Sequence, residues 1–71
     1  MSRYLVIIEE TPAGFSAFLP DLPGCIATGA SRDDVERAMR EGVEFHLEGL
    51  RESGEPVPPP SSTAIYVEVA A

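Results

Sequence analysis

The sequence predicts an α+β domain: one helix on one face of a small sheet, in the order β-β-β-α-β. Three observations lead there. Residues 31–54 carry an apolar stripe at helical spacing, with a start signal and a stop signal. Three short β-type segments precede it, joined by Pro/Gly turns too short for crossovers. One more β-type segment, residues 63–69, follows a run of prolines.

Residues 4–8 read YLVII, an unbroken apolar run rich in β-branched side chains. Such a run predicts a strand buried on both faces. Thr11-Pro12-Ala13-Gly14 follows. Pro12 presets a turn, and Gly14 suits the left-handed position of a three-residue hairpin loop. Residues 15–19 then return as an antiparallel strand. Pro23-Gly24 suits the centre of a type II turn, and residues 25–28 form a short third strand.

The helix comes next. Val35, Ala38, Met39, Gly42, Val43, His46, Leu47 and Leu50 fall on one side, and Arg37, Arg40, Glu41, Glu44, Glu48, Arg51 and Glu52 on the other. Ser31 is a natural N-cap, with Asp34 three residues on as a shortened capping box. Asp33, Asp34 and Glu36 complement the helix dipole. Gly54 supplies a left-handed stop and Pro56 bars a restart. Residues 55–61 should be extended and polyproline-like. In residues 63–69, Thr63, Ile65, Val67 and Val69 share one face, and Ala64, Tyr66 and Glu68 the other. Two hairpins make the first three strands a meander. A right-handed crossover returns the fourth beside the first, for a sheet order 3-2-1-4 in a two-layer sandwich.

The chain of 71 residues makes a single domain, 1–71, with little core to set against chain entropy. Cys25 is the only cysteine, so no internal disulfide can form. There is no CxxC and no histidine pair, so no structural zinc and no other cofactor is expected. No signal pattern or membrane-length apolar run occurs, and the expected setting is soluble and cytoplasmic, with no membrane partner. Five arginines against twelve acids give a net charge of −7. That argues against direct nucleic-acid binding, which needs a basic face, and suits a basic protein partner.

Few residues suggest catalysis. Glu9, Glu10 and Asp21 could be imagined as a metal cluster, but Glu9 and Glu10 are neighbours on one strand and point to opposite faces. A solvated strand end is the simpler account. His46, the only histidine, lies within the helix stripe. Cys25 could serve it as nucleophile only if the fold brought them together, and both read better as core or interface residues. Pro58-Pro59-Pro60 reads as a stiff return rather than a recognition motif. The expected catalytic and metal residues are therefore none.

The sheet's second face is more informative. The first strand is apolar on both sides, through Tyr4, Val6 and Ile8 on one and Leu5 and Ile7 on the other. Phe18 and Tyr66 belong to the faces opposite their strands' main apolar rows. One helix cannot cover both faces, and uncovered apolar patches mark interfaces. A homo-oligomer is expected, most simply a two-fold dimer, with Tyr4, Phe18 and Tyr66 at the interface.

The stretches YLVIIEE, GFSAFLPDLPGCIATGAS and EGLRESGEPVPPPSS resemble the HicB family, the antitoxin partners of HicA–HicB toxin–antitoxin systems. The most specific part is Phe18-Leu19-Pro20-Asp21-Leu22-Pro23-Gly24-Cys25, then Thr28-Gly29; Gly54 with Pro58 and Ser61 is a second marker. The resemblance implies a partial, non-catalytic ribonuclease-H-like fold. It also implies a small, basic, RNA-cleaving toxin as partner, silenced by occlusion. Many members add a C-terminal DNA-binding segment, and the expectation here is a domain without one. Candidate partner contacts are Asp21 and the helix acids Glu41, Glu44 and Glu48. Two other readings are an orphan self-assembling domain or adaptor without a toxin, and a residual hydrolase.

Overall fold

The computed structural model describes residues 2–70. Three strands and one helix follow one another: β1 (Ile7–Thr11), β2 (Gly14–Phe18), β3 (Ile26–Gly29) and α1 (Arg32–Glu52). The α+β class and the meander agree with the sequence. The strands pair antiparallel in the order β1-β2-β3. The expected fourth strand is absent: residues 63–69 carry no ladder, so β1 is a sheet edge. The order 3-2-1-4 is therefore corrected to 3-2-1. Alternation promises a strand only when an edge takes up its backbone groups, and here none does.

The β1–β2 hairpin pairs Thr11 with Gly14 across a two-residue loop, one residue shorter than expected. Gly14 has φ 143°, and a Cβ there would meet the Gly29 carbonyl oxygen at 2.4 Å. Close approach of two strands, as well as backbone shape, thus requires glycine. Pro23 and Gly24 form the expected type II turn: Gly24 has φ 84°, and the Cys25 N–H donates to the Leu22 carbonyl at 3.2 Å. The Leu19 N–H closes the whole loop on the Cys25 carbonyl at 3.2 Å.

Both helix ends follow their signals. Ser31 Oγ accepts from the Asp34 N–H at 3.1 Å. At the other end the Glu55 N–H reaches the Leu50 carbonyl, and the Gly54 N–H the Arg51 carbonyl. With Gly54 at φ 72° this is a Schellman stop.

The helix lies over β2 and β3. Between the layers sit Ala17, Leu19, Leu22, Cys25, Val35 and Met39, with Tyr4, Val6, Ile8, Phe15, Ala27, Val43 and Leu47 packed around them. Leu22 and Val35 are wholly enclosed. The loop between β2 and β3 is thus more than a turn, because it delivers Leu22 to the centre of the core. Cross-strand pairing sets the faces. Ile8, Ala17 and Ala27 form one row toward the helix, and Ile7, Phe18 and Ile26 form one away from it. Ile26 is 75% exposed and Phe18 38%.

Leu22→Ala should cost about 2–5 kcal/mol, a large share of the stability of so small a domain, measured by urea denaturation. Gly49 is a helical glycine with open space where a Cβ would stand. Gly49→Ala should raise stability by about 0.5–1 kcal/mol in the same assay.

Candidate functional site

Two surface regions stand out. The first is the outer face of α1. Its N-terminal half is charge-paired: Arg32 Nε lies 3.2 Å from Glu36 and Arg37 3.6 Å from Asp34. These exposed pairs are worth about 0.3–0.5 kcal/mol each. The C-terminal half differs. Glu41, Glu44 and Glu48 are exposed, and among the described residues none of them has an ion-pair partner. Glu44, Glu48 and Glu52 follow at four-residue spacing, a ladder of like charges that costs about 0.2–0.5 kcal/mol per step. The ladder also runs into the negative end of the helix dipole. Phe45 stands among these acids, 79% exposed.

Phe45 has no part in the expected stripe, because it falls between the buried face and the acidic one. Its signal was available: a large aromatic flanked by Glu41, Glu44 and Glu48 with no buried position to occupy. The helix thus presents an apolar anchor beside three acids that make no direct ion pair among the described residues, with Arg37, Arg40 and Arg51 one turn away on the same face. Such a surface suits a partner with an apolar pocket rimmed by cations.

The second region joins Asp21 to the segment after the helix. Asp21 Oδ2 accepts from the backbone N–H of Ser61 at 2.8 Å and of Ser62 at 3.0 Å. Oδ1 accepts from the Ser62 hydroxyl at 2.7 Å and the Ser61 hydroxyl at 3.1 Å. The Ser61 amide chiefly, then the Ser62 amide and hydroxyl, hold the carboxyl at about 2, below its ordinary 3.8. The sequence places Asp21 at a partner surface, whereas these four bonds make it an anchor for the returning chain. Nearby, the Tyr4 hydroxyl donates to the Pro58 carbonyl at 2.5 Å. Tyr4 sits half-buried on the helix side of the sheet. Phe18 lies on the helix-free face, and Tyr66 is fully exposed on the unpaired tail.

The catalytic alternatives gain no geometry. Cys25 is buried, its Sγ lies 3.9 Å from the Met39 sulfur, and burial pushes the thiol up. His46 is half-buried on the helix. Among the described residues no group of three or more His, Cys, Asp or Glu could hold a metal ion. No helix among them is long and apolar enough to cross a membrane.

A family model described as the HicB-like antitoxin of bacterial toxin–antitoxin systems matches residues 4–70. A solved structure, the HicA3 and HicB3 toxin–antitoxin complex, contains a chain 33% identical to this one with a TM-score of 0.72, covering 83% of this chain and 70% of that one. An uncharacterized 14.9 kDa protein of Haemophilus phage HP1 is 30% identical over 90% of this chain. A UPF0150 protein of Helicobacter pylori is 36% identical over 62% of it, and one of Synechocystis 34% over 79%. The chain spans 48% of the phage protein and 61% of the Helicobacter protein.

Asp21's depressed carboxyl contributes stability that is complete above the unfolded value near 3.8 and is lost as pH falls toward 2. An NMR titration should show the Ser61 and Ser62 amides released over that interval. Asp21→Ala should release them at neutral pH.

Proposed function

The chain belongs to the HicB-like antitoxin family of bacterial toxin–antitoxin systems, and from that premise we propose that it neutralises a HicA-type toxin by occlusion. It acts as a binding protein rather than an enzyme. The observation that carries this reading is the row of exposed, unpaired acids around exposed Phe45 on α1. A basic partner would convert the repulsion along Glu41, Glu44 and Glu48 into attraction on docking.

The HicA3–HicB3 complex supports the pairing, since the antitoxin-like fold there is found with a toxin. The toxin implied by the family must be basic to hold RNA. Its cationic surface is what the helix acids would cover, and a covered surface cannot bind RNA. Phe45 would supply the desolvated centre of the contact, and the acids its steering rim. The chain's net charge of −7 strengthens the long-range field and disfavours direct nucleic-acid binding by this domain.

Reversing Glu41, Glu44 and Glu48 to Lys should slow association with a co-expressed HicA-type toxin and flatten its salt dependence, as read by stopped-flow mixing. Helical circular dichroism should persist, because all three positions are exposed. Phe45→Ala should weaken binding by about tenfold or more, roughly 1.4 kcal/mol. Unchanged rates and affinity in both variants would move the docking surface off α1.

A further inference from the structure

We propose that residues 63–69 of one copy pair with the open β1 edge of a second copy, so that two chains exchange tails in a two-fold dimer. The chain carries both halves of this contact and satisfies neither alone. One half is the tail. Ile65 is 84% exposed, Tyr66 104%, Val67 71% and Val69 77%. The other half is the unpaired edge of β1 with the groove beside it. That groove, of ≈ 590 Å³, opens between β1 and α1 and is floored by Tyr4, Val6, Ile8, Met39 and Val43. The helix lies over β2 and β3 and leaves this strip of the inner face without a roof.

The tail's apolar row fits the place. Ile65, Val67 and Val69 alternate along an extended segment, so they can cover the groove together. Tyr66 then turns to the opposite sheet face, beside the row of Ile7 and Phe18. The groove's rim is of mixed charge: Arg32 is paired with Glu36, and Arg40 stands beside Glu44, leaving Arg40 as the cation within reach of Glu68 of the incoming tail.

The root of the tail favours exchange over folding back. Tyr4 holds the Pro58 carbonyl and Asp21 holds Ser61 and Ser62, so the chain is fixed up to the point where the tail begins. Three consecutive prolines stiffen the approach. From that fixed root the tail passes its own β1 without pairing: Tyr66 borders a cleft with Val6, Ile8, Glu10, Phe15 and Arg32, yet residues 63–69 form no ladder there. The molecule measures 48 × 26 × 19 Å, and its radius of gyration is 13.9 Å where a compact chain of this length has roughly 11 Å. A stiff hinge that keeps a segment from pairing with its own sheet invites exchange with a neighbour. The reciprocal contact removes both open β1 edges at once. It does not rest on the toxin reading. Its salt response is opposite in sign, because two chains of −7 repel and added salt should tighten the dimer.

The test uses the whole chain. Sedimentation at micromolar concentration should give twice the monomer mass. A dimer mixed from isotopically distinct chains should show contacts between the Val67 methyls of one chain and the Ile8 methyls of the other. The double variant Ile65→Asp, Val67→Asp should halve the mass while keeping the helical signal, since neither residue belongs to the monomer's core. A wild-type monomer, a dimer that survives the double variant, or tail contacts confined to one chain would each overturn the proposal.

Discussion

One helix over one face of a three-stranded sheet is the constraint on which the whole structure depends. Among the described residues six side chains are buried, and both layers are needed to bury them. Val35 and Met39 come from the helix, Ala17 from β2, and Leu19, Leu22 and Cys25 from the loop beyond it. The loop contributes as much as the strands because the strands are only four or five residues long. The helix of 21 residues packs Val43 and Leu47 against the core while the other side of the same turns faces outward. The freed outer face there can be shaped by demands other than folding, which is where Phe45 and the acidic ladder lie.

What could be read ahead of the structure was what depends on neighbours in sequence. Ser31 and Gly54 mark the helix because a cap is satisfied within one turn. The Pro23-Gly24 turn was legible for the same reason. Leu22 was not, because its burial depends on α1 closing over the loop. Asp21 looked like a free surface acid because its partners, Ser61 and Ser62, are forty and forty-one residues away. Residues 63–69 alternate as a strand does, yet pairing depends on an edge being within reach, and alternation is silent on that. The candidate docking face was half legible. Glu41, Glu44 and Glu48 were, from the helical period. Phe45 was obscured because a stripe count keeps only the side it expects to bury.

The two surfaces divide the molecule's tasks. The outer helix face is polar with one aromatic, the composition of a contact that forms and separates. The β1 edge and the tail are apolar and backbone-rich, the composition of a permanent contact. The two adjoin at Glu44, which belongs to the acidic row and also lines the groove beside β1. A domain with so small a core would gain from such a contact, since association would add buried area that a single chain lacks.

Cys25 turns this arrangement into a built-in reporter. Its thiol lies against Met39 between the layers, and burial pushes its pKa up. It can meet an alkylating reagent only when helix and sheet part. The rate of modification therefore reads the equilibrium between closed and opened molecules, with no label added and no surface altered. Because Cys25 belongs to the loop that carries Leu22, the reading reports on the very contact that closes the core.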